Sequence, residues 1–158
     1  MTVFLCEDSP EGIFSGVSQA WESGLDGSQL RLELENGYNY DLFSEYRKIP
    51  CDFARAEKAA ARICREISDL SYTWAYRAAL ARDREKADAV YRFLDCGFML
   101  RGRVTESLQF PEVQAVFQRN RAVANETHLL MEFLRFSELP SGVLFAAARP
   151  EHDVVPLM

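Results

Sequence analysis

A chain of 158 residues is long enough for one domain with a real core. Its 48% hydrophobic and 12% aromatic content excludes a disordered polymer. The net charge of −6 excludes a globally basic nucleic-acid binder, and no apolar run approaches the roughly 18 residues that span a bilayer.

The charge is unevenly spread. Residues 1–46 hold nine acidic residues against one arginine, 47–103 hold thirteen basic against eight acidic, and 104–158 hold four arginines against seven acidic residues. A basic middle can still present one basic face. The opening MTVFLCEDSPEG has no basic leader and turns acidic at once, which predicts a cytoplasmic protein. Cys6, Cys51, Cys64 and Cys96 form no CxxC pair, and the only histidines are His128 and His152. That pattern predicts reduced, partly buried thiols, no metal site and no cofactor.

In chain order, Val3 to Cys6 reads as a short strand. Ser9-Pro10-Glu11 opens a helix, with Ser9 placed to accept from a free N–H and Pro10 at a position that loses none. Ile13, Phe14, Val17, Ala20 and Trp21 mark its apolar face, and Gly24 to Gly27 ends it. Leu30, Leu32 and Leu34 alternate with charged residues as a half-buried strand, followed by the turn pair Asn36-Gly37. The aromatic stretch Tyr38 to Ile49 reads as a strand or an ordered loop. Asp52 caps a second helix, and Ser68-Asp69 resets the chain into a third, Leu70 to Ala81, whose Tyr72, Trp74 and Tyr76 read as core. A fourth begins at Asp83, with Ala87, Val90, Tyr91, Leu94 and Phe98 at helical spacing. Phe110-Pro111-Glu112 opens the last helix, which runs to about Phe133. Leu134 to Glu138 and Val143 to Ala148 then read as a hairpin, and the end from Val154 to Met158 is apolar.

The last helix carries the candidate site. On a wheel of 100° per residue, Arg121, Asn125, His128 and Glu132 form a polar stripe about 60° wide. Ala122, Val123, Leu129, Leu130 and Phe133 then form the expected core face. Glu126 and Arg119 fall inside that apolar arc, where a lone charge is costly, so they are expected to form an ion pair, with Arg135 as a second partner for the carboxylate. Glu126 is either this structural pair, a carboxylate that ties the helix to the hairpin, or a site carboxylate. His128 is either a surface histidine or an acid–base or phosphate-contacting group. Arg84, Lys86, Arg92, Arg101 and Arg103 either face solvent or, at Arg101 and Arg103 beside Gly102, clamp phosphate. No Walker A lysine motif, GxGxxG, HExxH or GxSxG occurs.

Three segments carry a resemblance: VFLCEDSPEGIFSGVSQAW near the start, KADAVYRFLDCGF in the middle, and RAVANETHLLMEFLRFSEL through PSGVLFAA to ARPEHDVVPL at the end. Across essentially the whole chain they resemble a bacterial family of unknown function linked to DNA metabolism. Relatives of that kind occur beside a radical S-adenosylmethionine protein of DNA repair or modification, or fused to a uracil-DNA glycosylase-like domain. The resemblance implies an accessory protein that contacts DNA or such a partner, and matches Arg121, Glu126, His128, Arg135, Phe133 and Phe136. It also implies that the chain, a single domain over 1–158, is a fragment lacking the family's C-terminal segment. The alternatives are an enzyme with a Glu- and Arg-lined pocket, or a scaffold that binds protein only. The expected fold is α+β: about five helices on a small, mainly antiparallel sheet made of the first strand, the Leu30–Leu34 strand and the hairpin.

Overall fold

The computed structural model describes all residues from Met1 to Met158. Strand β1 (Thr2–Cys6) leads into helix α1 (Pro10–Ser23), and a short 3-10 turn delivers the chain to β2 (Leu30–Leu34). After a loop, β3 (Glu45–Lys48) precedes α2 (Phe53–Glu66), α3 (Asp69–Ala79) and α4 (Lys86–Leu100). A 3-10 turn over Arg101–Glu106 joins α4 to the long helix α5 (Pro111–Phe133), and a two-residue ladder of β4 (Ser137–Glu138) and β5 (Leu144–Phe145) follows.

The helix content agrees with the five helices expected, but the sheet does not. β1 is the central strand of the order β2-β1-β3, and both neighbours run parallel to it. The mainly antiparallel sheet is thus corrected to a parallel one, and the hairpin forms a separate antiparallel pair. The reason lies in the connection. A crossover of a dozen or more residues permits parallel neighbours, and residues 7–29 supply one with α1 inside it. The hairpin strands also shorten to two residues each, all four exposed.

Local chemistry explains the helix starts. Ser9 Oγ accepts from Gly12 N at 3.0 Å, Asp52 Oδ1 from Arg55 N at 3.2 Å, and Ser68 Oγ from Ser71 N at 3.1 Å. Helix α1 also presses close to the strand. A Cβ on Gly16 would lie 2.2 Å from Cys6 Sγ, and one on Gly12 would lie 2.5 Å from the Glu7 carbonyl oxygen. Two missing side chains one turn apart let the helix sit on the end of β1. Burial there pushes the Cys6 thiol up to about 12.

One core of 26 buried residues joins β1 and β2 to all five helices, from Phe4 and Leu32 through Ile63 and Phe93 to Val116. Trp74 packs between Phe93 and Phe117 at 6.3 and 5.3 Å, and Phe14 stacks on Tyr72 at 5.7 Å, so the aromatics of α3 are core elements as expected. Helix α4 lies along β2, where Asp88 Oδ1 accepts from Leu32 N at 3.1 Å. Arg92 donates to the carbonyls of Gly27 and Leu30. Arg62 sits 4.8 Å from the Trp21 ring and 4.7 Å from the Phe98 ring. These two basic residues hold the fold and do not form a phosphate-binding row.

Candidate functional site

Helix α5 buries Val113, Val116, Asn120, Val123 and Thr127, which recur every three or four residues. That face is centred near 240° on the wheel that starts at Arg121, and it shares only Val123 with the expected apolar face. Ala122, Leu129 and Phe133 are exposed, the last two at 53% and 67%. The expected core face is therefore corrected: helices α3 and α4 receive the Val123 side, and three of the five expected core residues are left outside.

The polar stripe lies on the surface. Arg121, Asn125, His128 and Glu132 are all exposed, and His128 Nε2 stands 3.3 Å from Glu132 Oε1. Arg135 is exposed on the segment that follows. Arg101 donates to the Glu66 carbonyl at 3.1 Å, and Arg103 is exposed on the turn after α4. The structure does not gather these residues into one cleft.

The Arg119–Glu126 ion pair is replaced by two separate contacts. Arg119 Nη2 lies 2.6 Å from Asp83 Oδ2. Glu126 instead accepts from the backbone N–H groups of Glu151 at 2.6 Å and His152 at 2.8 Å. Two turns of helix separate Arg119 from Glu126, and each finds a nearer partner on a segment that packs against α5. Burial raises the Glu126 carboxyl, but the two N–H donors outweigh it and hold the group below its ordinary 4.5. It is a carboxylate that ties down a strap. The strap continues with Arg82 N donating to His152 Nδ1 at 3.0 Å and Asp153 N donating to the Leu80 carbonyl at 3.1 Å. Val154 then closes a small cluster with Leu80, Ala81 and Val123.

Two cavities flank the segment 82–88, and Glu126 and His128 line neither. The smaller, about 310 Å³, opens at the carboxyl end of β1 beside Asp8 and Ser9 and contains Lys86, with Glu151 and Asp153 from the strap. Lys86 is only 5% exposed and its Nζ lies 2.6 Å from Asp8 Oδ1. An ammonium at the first turn of α4 opposes the helix dipole, so the Asp8 carboxylate is the group that makes this burial tolerable. The ion pair joins the strand end to α4.

The larger cavity, about 570 Å³, runs along β2 between the loop after that strand and the starts of α4 and α5. Arg31, Arg84 and Arg119 reach it, with Asn36, Tyr38 and Asn39 on the loop side. Its carboxylates are mostly engaged: Glu33 with Arg31, and Asp88 with Leu32 N and Arg92. Arg84 is exposed and has no carboxylate within salt-bridge distance, whereas Arg31 is paired with Glu33 and Arg119 is held by Asp83 and by the Ala115 carbonyl at 2.9 Å. Glu85 is the carboxylate of the lining with no bound partner. The wall thus presents one free guanidinium, that of Arg84, which suits an anionic ligand with acceptor oxygens.

Sequence does not single out Asp8, Arg31 or Tyr38, and the expectation that Lys86 faces solvent with the other basic residues is corrected by its burial against Asp8. One signal pointed there: an acidic Glu7-Asp8 directly between a strand and a capped helix, the place where strand ends line clefts. The partner lysine is far away in sequence, so the pair is visible only in the fold.

Comparison with known proteins adds one family. A domain of unknown function, DUF4130, is found at residues 84–158, just under half of the chain. It covers α4, α5, the hairpin and the strap, and leaves out the parallel sheet and α1 to α3. No curated protein and no solved structure matches the chain.

Proposed function

We propose that this protein is an accessory component of DNA metabolism that holds nucleic acid through phosphate contacts in the arginine-lined cavity beside β2. The observation that carries the reading is the convergence of Arg31, Arg84 and Arg119 on one cavity in which Arg84 is exposed and unpaired. It moves the contact surface from the outer stripe of α5 to the start of α4. The link to DNA itself comes from the sequence resemblance, and the cavity supplies a chemistry consistent with it. Charge-assisted N–H bonds to phosphate fix a ligand without reading its bases.

The test is a titration of labelled single- and double-stranded DNA at about 50 and about 200 mM salt. Three phosphate contacts on a single strand should cost about twentyfold in affinity between those salts. Arg84→Ala should lower affinity and flatten the salt slope by about 0.7, while leaving the fold intact because that side chain is exposed and unpaired. Absence of binding at low salt would end this reading.

A second reading has its own observation. Leu129 and Phe133 on α5, then Phe136, Leu144 and Phe145 beyond it, are each more than half exposed. Soluble monomers rarely leave so much apolar surface in one stretch of chain. It favours a protein partner, of which the radical S-adenosylmethionine or uracil-DNA glycosylase-like proteins of the resemblance are the expected kinds. Co-purification that survives nuclease treatment and is lost with Phe133→Ser and Phe136→Ser would support it.

A further inference from the structure

The loop between β2 and β3 leads from the arginine cavity to a group of aromatic side chains that the core does not use. Tyr38, which lines the cavity, stands 5.0 Å from Tyr40 and 5.4 Å from Tyr46, ring centre to ring centre, and Tyr40 stands 5.1 Å from Tyr46. Tyr46 is the anchor: its hydroxyl accepts from Asp41 N at 2.7 Å and donates to the Asn39 carbonyl at 3.0 Å. Asp41 folds the tip further by accepting from Phe43 N at 3.2 Å and Ser44 Oγ at 3.1 Å. A loop held by its own hydrogen bonds nonetheless leaves Tyr40 at 77%, Leu42 at 95% and Phe43 at 89% exposure.

Two of the acidic groups around it are paired with cations, while Asp41 accepts only from neutral donors and Glu85 has no partner. Glu35 pairs with Lys48 at 3.0 Å, Glu45 with Arg47 at 2.8 Å, and Asp41 is spent on the loop tip. Arg84 is the exposed cation beside Gly37 that has no partner. Ordered, exposed rings next to guanidinium groups form the combination that single strands require: faces for unpaired bases and donors for the phosphates between them. In a duplex the base faces are already stacked, and the rings gain nothing.

We infer that the Tyr38–Tyr46 loop and the arginine cavity form one binding site for single-stranded nucleic acid, with bases stacked on Tyr40 and Phe43 and the adjoining phosphate held by Arg84. The inference rests on the nucleic-acid reading above and specifies the form of the ligand. Because the contacts are stacking and phosphate contacts, the site takes any base sequence.

The experiment compares the full chain with Tyr40→Ala, Phe43→Ala and the double variant, by fluorescence anisotropy, on three probes. These are a labelled oligothymidylate, the same strand with abasic positions, and a duplex of equal length. Loss of a stacking ring should weaken oligothymidylate binding by about tenfold and leave duplex binding unchanged. The abasic strand should bind the unaltered chain as weakly as oligothymidylate binds the double variant. Circular dichroism and thermal melting confirm that each variant folds, which the exposure of both side chains predicts. Equal affinity of the double variant and the unaltered chain for oligothymidylate would overturn the inference while leaving the phosphate-binding reading intact. Binding of abasic and normal strands with equal strength would do the same. Failure of every probe to bind at low salt would remove both.

Discussion

The β1-α1-β2 unit and the end of α5 with its hairpin are both apolar in sequence, yet they reach opposite fates. In the first, Val3, Phe4, Ile13, Leu30 and Leu32 are at most 1% exposed. In the second, Phe133, Phe136, Leu144 and Phe145 are 54% to 67% exposed. Hydrophobic residues at regular spacing therefore establish an amphipathic element, and what packs against it decides whether the face is filled. The parallel sheet has α1 and α4 against it, whereas the last turns of α5 extend beyond the body that α3 and α4 provide.

That contrast can be broken most sharply by truncating one ring in each region. Phe93→Ala, at a fully buried site, should cost about 3–5 kcal/mol. Phe136→Ala should change stability by less than about 0.5 kcal/mol. Urea denaturation of both variants measures the difference, and equal losses would mean that the hairpin is packed in solution. Next in size is Gly16→Ala, which drives a methyl group into Cys6 Sγ and should cost about 1–3 kcal/mol. Adding Cys6→Ala should recover most of that loss, and a double-mutant cycle reads the coupling. A cycle that sums to zero would deny the close approach of α1 to β1.

The strap gives a smaller effect with a pH signature. Glu126→Gln should lower stability by about 1 kcal/mol, at the low end for bonds to a charged group because the carboxylate keeps some contact with water. The Glu126 carboxyl titrates lower in the folded chain than its ordinary 4.5. Its contribution is therefore complete above that value and disappears as pH falls through the folded one. The protection factors of the Glu151 and His152 amides, exchange rates taken relative to the intrinsic rate at each pH, should fall on acidification in the native chain and be low at all pH values in the variant. The smallest effect belongs to the exposed His128–Glu132 pair: replacing either should shift stability by no more than about 0.5 kcal/mol. A larger loss would show that the outer stripe of α5 contacts something in solution.

Local features were legible from residues alone. Ser9-Pro10, Asp52 and Ser68-Asp69 each mark a helix start because a side-chain acceptor meets a free N–H within three residues. Leu30, Leu32 and Leu34 mark a strand because burial repeats every second residue. What stayed hidden depends on partners distant in sequence. The parallel pairing of β1 with β2 and β3 is set by where the connections return, and nothing within five residues encodes that. The α5 face was misread because Ala122, Leu129 and Phe133 satisfy helical periodicity without meeting a neighbour. The same holds for charge: Arg119 and Glu126 sit close in sequence but answer to Asp83 and to the strap, and Lys86 answers to Asp8.

The hydrogen bond from Leu32 N to Asp88 bears on how these molecules meet each other. A three-stranded sheet has two borders, and each is a template on which another chain can add a strand. At the β2 border α4 occupies the space and its aspartate takes up a backbone donor. Only the β3 border is left, and there Glu45, Arg47 and Lys48 are exposed charged side chains within four residues. Ribbon-like stacking of sheets is thus blocked on one side by a helix and discouraged on the other by charge. Self-association of this protein at high concentration should proceed through its bare apolar side chains and not through the borders of its parallel sheet.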